Sequence, residues 1–348
     1  MGNMKEYTIA VVGATGAVGQ KMIQLLEKSE IPLKELKLLA SARSAGKTAT
    51  FKGKEYKIEE TTNESFKNVD IALFSAGGSI TKAFEKAARE SGAVVIDNTS
   101  AFRMDENTPL VVPEVNAEAL HNHNQLIANP NCSTTQMVVA LKPIKEAFGL
   151  SRVIVSTYQA VSGAGVEALE ELDTQTASVL KGEEVEASIL PSAGDKKHYQ
   201  IAFNVIPQID LFSDEGYTFE EWKMINETKK IMGMPNLKVS ATCVRVPVKY
   251  GHSESVYIEI DKDDVSVADL RAVLADAPGI IVQDDPSTQL YPLATESEDK
   301  KDTFVGRIRK DPDDKKGFHL WIVSDNLIKG AAWNSIQIAE TMINMNLI

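Results

Sequence analysis

Two cysteines, Cys132 and Cys243, are all that this chain of 348 residues contains. That is too few for a disulfide framework and suits a reducing cytoplasm. Positive charge is in deficit as well. The formal net charge of -12 argues against a general binder of nucleic acid or of anionic membranes, but allows a local basic pocket for an anionic substrate. No apolar run reaches ~18 residues, so no transmembrane helix is expected. The first strand begins at Thr8 with no signal-peptide pattern before it. Met1-Gly2 is followed by Glu6 where a myristoylation motif needs Ser or Thr. Aromatic residues are few, and there is no internal repeat or metal-ligand cluster. What is plentiful is apolar content, 43%, enough for substantial cores, in a length that fits about two domains.

The most legible stretch is the first. Thr8-Ile9-Ala10-Val11-Val12 has the continuous apolar pattern of a buried parallel strand. Gly13-Ala14-Thr15-Gly16-Ala17-Val18-Gly19 follows, then an amphipathic helix carrying Met22, Ile23, Leu25 and Leu26. Strand, glycine loop and helix form the setting of a dinucleotide fingerprint, here spaced G-x-x-G-x-x-G. The glycines let the backbone approach a pyrophosphate seated on the helix N-terminus. A plain βα turn is the bland alternative. The next strand, Leu36 to Ala40, lacks the terminal acid that would bond a ribose 2′-hydroxyl. It ends instead in Ser41-Ala42-Arg43-Ser44, whose cation and hydroxyls suit a 2′-phosphate, so NADP is favoured over NAD. Strands at Asp70 to Phe74 and Ala93 to Ile96 end in Ser75-Ala76-Gly77-Gly78 and Asp97-Asn98-Thr99-Ser100, which would line a crevice at the carboxyl ends of the sheet.

A short strand, Gln125 to Ala128, leads into Asn129-Pro130-Asn131-Cys132-Ser133-Thr134-Thr135. Pro130 stops the strand, and the hydroxyl residues open a helix through Met137, Val138, Leu141 and Ile144. Cys132 therefore sits on the first turn of a helix, where the dipole favours a thiolate. A merely buried cysteine is the competing reading. Beyond it the pattern becomes α+β with a mostly antiparallel sheet. Strands are expected at Val153 to Val161, Val239 to Val248, Glu254 to Ile260, Phe304 to Arg309 and His319 to Val323. Helices are expected at Phe219 to Met232, Val265 to Ala275 and Asn326 to Met345, the last returning to the first domain. Lys181 to Gln200 reads as a polar excursion. Arg245 interrupts the apolar Cys243-Val244-Arg245-Val246-Pro247 and needs an anionic partner, either a ligand or a structural carboxylate. His252, in a Gly-Ser turn, has an ordinary pKa of ~6.5 and suits proton transfer near neutrality. The other four histidines fit surface or structural places.

The glycine loop, Arg103 in Ser100-Ala101-Phe102-Arg103-Met104, the Pro130-Asn131-Cys132-Ser133 turn, Gln159 before Ser162-Gly163, Arg245 with His252, and Asp325-Asn326-Leu327-Ile328-Lys329-Gly330-Ala331 together resemble the bacterial aspartate-semialdehyde dehydrogenase family. The resemblance spans essentially the whole chain. It implies a fold like that of glyceraldehyde-3-phosphate dehydrogenase: an NADP-binding Rossmann domain over 1–130 plus 326–348, and a catalytic and dimerisation domain over 131–325. It implies NADPH-dependent reductive dephosphorylation of L-aspartyl 4-phosphate to L-aspartate 4-semialdehyde through a cysteine thioester, serving lysine, diaminopimelate, threonine and methionine biosynthesis. Cys132 matches the nucleophile, His252 the acid/base and Gln159 a substrate-orienting amide. Arg245 matches the clamp on the substrate carboxylate, Arg103 and Lys223 the phosphate ligands with Asn131 assisting, and Glu220 the partner of the amino group, with the adjacent Glu221 still open. The cofactor set is Gly13, Thr15, Gly16, Ala17, Val18, Ser41, Arg43, Ser44, Ser75, Gly77, Ser162, Gly163 and Asn326, the last doubling as a possible helix cap. A cytoplasmic homodimer or homotetramer acting on a small molecule and inorganic phosphate is implied, with no metal. Three rivals are an N-acetyl-glutamyl-phosphate reductase, which would have less use for Glu220, a more distant glyceraldehyde-3-phosphate dehydrogenase, which prefers an acid after the second strand, and a silent NADP-binding sensor.

Overall fold

A computed structural model describes residues 5–348, which divide into two compact units: the chain up to Asn131 with Ala331–Ile348, and Cys132–Gly330. Asn131 thus goes with the first unit and Asn326 with the second, opposite to the expected assignment.

The first unit comprises β1 (Tyr7–Val12), α1 (Ala17–Leu26), β2 (Leu33–Ala40), β3 (Thr48–Phe51), β4 (Lys54–Glu60), β5 (Ile71–Phe74), α2 (Gly78–Glu90), β6 (Val94–Asp97), α3 (Pro113–Asn116), β7 (Leu126–Ala128) and the terminal helix Trp333–Asn344. Its sheet runs β3-β4-β2-β1-β5-β6-β7, parallel except at the β3–β4 hairpin. β1 lies centrally and every one of its side chains is buried, which explains its unbroken apolar run. Phe66 and Phe74 stack at 5.7 Å within a core that includes Val12, Leu39 and Val95. Each such phenylalanine contributes about 1.5–3 kcal/mol on burial. The β3–β4 hairpin has no apolar signal in the sequence, because Lys-Glu-Tyr-Lys-Ile-Glu-Glu of β4, next to the edge strand β3, keeps only Ile58 buried.

The second unit comprises α4 (Cys132–Phe148), β8 (Arg152–Gln159), α5 (Val166–Lys181), α6 (Phe219–Ile231), β9 (Lys238–Arg245), β10 (His252–Glu259), α7 (Val267–Ala275), β11 (Ile280–Val282), α8 (Ala294–Ser297), β12 (Thr303–Lys310) and β13 (Gly317–Ser324). Its sheet runs β11-β12-β13-β10-β8-β9, antiparallel at the centre and parallel at both edges. α4 packs on β10 and β13 and against α6 and α7. On the opposite face Ile154 and Tyr158 are exposed.

Two local departures bear on the site. The expected excursion is preceded by α5, whose Glu171 accepts backbone N–H bonds from Ser188, Ile189 and Leu190, while Gln175 accepts those of Ile201 and Ala202. The excursion is thereby pinned to a helix. The last helix does not begin at Asn326. Asp325 Oδ1 accepts from the amides of Leu327 and Ile328, a π turn follows over Ile328–Ala332, and regular helix starts at Trp333. The cap is therefore Asp325.

Candidate active site

In the first unit the glycine loop turns tightly after β1. Gly13 has φ +92°, and its N–H donates to Leu39 O at 2.8 Å. A Cβ on Gly13 would lie 2.9 Å from Ala76 N, and one on Gly19 would lie 2.1 Å from Gly13 O. Both positions need glycine. Gly16 caps α1 without any side-chain bond, and no acid stands in the first turn. The N–H groups of the first turn of α1, which have no acceptor within the helix, and the dipole present an anion cradle of the kind a pyrophosphate fills. Thr15, Ala17 and Val18 complete that turn. Gly77, φ +97°, starts α2, and Ser75 at the end of β5 bonds Val12 O through both N and Oγ. After β2, Ser41 O accepts from the amide of Ser44. Arg43 is exposed on this turn and no carboxylate stands within it.

Arg103 is also in this unit and is buried. Its Nε donates to Asn129 O and its Nη2 to Asn98 O, both at 2.9 Å. Asn129 in turn bonds Asn98 Oδ1 and receives Asn334 Nδ2, each at 2.7 Å. Asp97, fully buried, takes bonds from Thr81 Oγ1, Thr99 N and Thr99 Oγ1. Burial pushes its carboxyl up, opposed by these bonds and by the Arg103 charge. Asn131, buried, follows on the same stretch.

The second unit gathers the remaining residues. Cys132 is the first residue of α4 and is in no disulfide. A Cβ on Gly330 would lie 2.6 Å from Cys132 Cβ, so only glycine in the π turn leaves the thiol its place. The Cys132 charge is among those acting on Arg245. Arg245 ends β9, buried, and donates Nη1 to Ala160 O at 2.8 Å, whereas its buried Nε has no partner. Burial disfavours its charge; Glu220 first, then Cys132 and Cys243, oppose that.

His252 is completely buried at the start of β10. The Ala160 N–H donates to its Nδ1 at 3.0 Å, which assigns the neutral ring's proton to Nε2. Gln159 Nε2 lies 3.5 Å from that nitrogen, but its donor bond goes to Glu220 Oε1 at 3.2 Å, while Gln159 Oε1 accepts from Thr157. His252 is pushed down to about 3, by burial first and the Arg245 guanidinium second, with Glu220 opposing. It is therefore neutral across the physiological range. A Cβ on Gly163 would meet Arg245 Nη1 at 3.1 Å and His252 Nε2 at 3.3 Å. Ser162 and Asn326 exchange side-chain bonds, and Asn326 Oδ1 also accepts from Gly251 N.

On α6 the two adjacent acids separate. Glu221 belongs to the capping box with Thr218 and accepts from Cys243 N at 3.0 Å. Glu220 instead takes Lys223 Nζ and the Gln159 amide, each at 3.2 Å. Lys223 is not in a simple surface pair, because Asp210 takes its Nζ at 2.8 Å. Burial lowers its pKa, but Glu220 and then Asp210 outweigh this and hold the ammonium well above its usual range.

Residues 8–123 match the family model described as semialdehyde dehydrogenase, NAD binding domain, and residues 141–329 the model described as semialdehyde dehydrogenase, dimerisation domain. An aspartate-semialdehyde dehydrogenase of Bacillus subtilis is 65% identical over 98% of each chain. The chain belongs to the aspartate-semialdehyde dehydrogenase family. It is thus an oxidoreductase with a cofactor-binding and a dimerisation domain. Aspartate semialdehyde dehydrogenase II of Vibrio cholerae, solved in complex with ASA, is 45% identical with a TM-score of 0.92, covering 98% of this chain and 99% of that one. Aspartate semialdehyde dehydrogenase of Candida albicans, solved with NADP, is 28% identical with a TM-score of 0.74, covering 99% and 100%.

In this member of the aspartate-semialdehyde dehydrogenase family the other four histidines and Cys243, none of them expected at the site, lie outside the cluster. His121 pairs with Glu118, His198 bonds Ser192 O, and His319 stands 4.0 Å from Asp311. His123 Nδ1 accepts from Gln125 N. Cys243 is fully buried against Met224. Reading the sequence missed Asp210, which has no motif around it, and Gly330, hidden in an apparent helix. It also missed Gln136, whose only signal is its position four residues after Cys132, on the same helix face.

Proposed function

We propose that this enzyme reduces L-aspartyl 4-phosphate to L-aspartate 4-semialdehyde with NADPH, through a thioester on Cys132, as a cytoplasmic step of amino-acid biosynthesis. The observation that carries the reading is the juxtaposition in the second unit of Cys132, neutral His252, the Gln159–Glu220 pair and the partly unpartnered Arg245.

The Cys132 thiolate, favoured by the helix start and by Arg245, attacks the acyl carbonyl and expels phosphate. Bound NADPH supplies a hydride. Hydride addition leaves a tetrahedral oxyanion, which collapses and returns the thiolate. That step conserves protons; the one proton consumed overall goes to the departing phosphate. His252, neutral with hydrogen on Nε2, serves the oxyanion as donor. Arg245 offers its open Nε edge to the substrate carboxylate. Glu220 takes the amino group, a reading supported by the prior commitment of Glu221 to its cap and to Cys243. Gln159 orients the substrate, while Arg103, Lys223 and Asn131 serve the phosphate. Gly13, Thr15, Gly16, Ala17, Val18, Ser75 and Gly77 fit the cofactor's pyrophosphate side. Ser41, Arg43 and Ser44 fit a 2′-phosphate, and Ser162, Gly163 and Asn326 the nicotinamide side. That relatives were solved with ASA and with NADP supports the substrate and cofactor classes of this reading.

The test is NADP reduction by L-aspartate semialdehyde with and without inorganic phosphate. NADPH should form steadily only when phosphate is present. Inactivity with this aldehyde but turnover of its N-acetylated glutamate analogue would replace the reading.

A further inference from the structure

Glu254 is the third residue of β10, two after His252 and on the same face, with no exposed surface. Neither carboxyl oxygen has a hydrogen-bond partner, and it makes no ion pair among the described residues. Its strand neighbours are Thr157 of β8 and Ile322 of β13. The titratable groups around it are His252 on its own strand and Cys243 from β9, with Glu220 and Glu221 behind Cys243 from α6. None is a cation at neutral pH. From α4 it faces Gln136, whose Nε2 donates to His252 O at 3.2 Å and whose buried Oε1 is likewise without a donor. An ionised carboxylate in that place would be a bare charge in the core, which costs far more than a neutral acid.

We propose that Glu254 stays protonated in the folded enzyme and donates its O–H to Gln136 Oε1, so that Glu254 and Gln136 act as a positioning pair tying the His252 strand to the Cys132 helix. Two orphaned groups then satisfy each other. Gln136 lies one turn below Cys132, so the chain Glu254–Gln136–His252 O sets the distance between thiol and imidazole. This rests on the reading of Cys132 and His252 given above, and one arm of the test is independent of it.

That arm is infrared difference spectroscopy of wild type against Glu254→Gln at neutral pH. A carboxylic-acid C=O band present only in the wild type is expected; its absence overturns the proposal whether or not Cys132 and His252 react. The kinetic arm compares Glu254→Gln, Glu254→Leu and Gln136→Leu. The amide of Glu254→Gln can still donate, so kcat should stay within about threefold of wild type, whereas each leucine variant should lose about tenfold in kcat at nearly constant KM by misplacing the reacting pair. The double leucine variant should lose no more than either single. Glu254→Gln as impaired as Glu254→Leu, or additive losses in the double variant, would overturn it.

Discussion

Three single residues set the chemistry of the second unit through what they do not do. Gly330 withholds a side chain, His252 withholds a charge, and Glu254 finds no cation. Gly330→Ala would bring a methyl group to 2.6 Å from Cys132 Cβ, so the helix start or the π turn must shift. We expect kcat to fall by about a hundredfold with KM little changed, since misplacing a reacting atom by ~1 Å has that effect; an unaffected kcat would remove Cys132 from the chemistry or show the turn to be soft. Glu254 makes a separate prediction in stability. Burial raises its pKa in the folded state well above the ~4.3 of an exposed carboxyl. Its contribution to stability is then full below about pH 4.3 and declines as pH rises toward the folded value, because the unfolded chain gains by releasing the proton. Glu254→Gln does not titrate. Its Tm should rise relative to wild type between about pH 5 and 8, with the gap widening with pH. A constant gap would mean that Glu254 ionises as an exposed acid does.

Secondary-structure elements position these residues by their ends. Cys132 opens α4, Arg245 and Gln159 close β9 and β8, and His252 opens β10. Parallel pairing of β8 with β9 sets Gln159 opposite Arg245. On α6 the capping box commits Glu221 and leaves Glu220 to the site. The turn after β2 carries the cofactor prediction. Arg43→Ala should weaken NADPH binding by about tenfold or more and NADH binding less than about twofold, if the guanidinium meets the 2′-phosphate; fluorescence titration with both nucleotides checks it, and equal losses would remove that assignment. These ends were legible in the sequence wherever punctuation was strong: Pro130 before α4, the glycines after β1, the apolar run of β1 itself. They were obscure where tertiary bonds overrode local signals. The helix expected from Asn326 starts instead behind Asp325 and a π turn, because Gly330 must accommodate Cys132. α5 went unseen since Glu171 and Gln175, which look like surface residues, are turned inward to hold the excursion.

For the whole molecule, the α/β first unit and the α+β second unit were readable from the change in pattern after Cys132, and the family from motifs spread along the chain. Asp210, Gln136 and Glu254 were not, because each depends on packing between elements distant in sequence. The net charge of -12 did not prevent cationic groups at the candidate sites; Arg103, Lys223 and Arg245 are each buried or held by named partners. The central proposal is covalent catalysis at Cys132. The most direct test is mass spectrometry of the protein quenched after mixing with L-aspartate semialdehyde and NADP in the absence of phosphate. The account predicts one aspartyl adduct, on the peptide carrying Cys132, lost when phosphate is added and never formed by Cys132→Ala, although that variant still binds cofactor. An adduct elsewhere, or full turnover by Cys132→Ala, would contradict it.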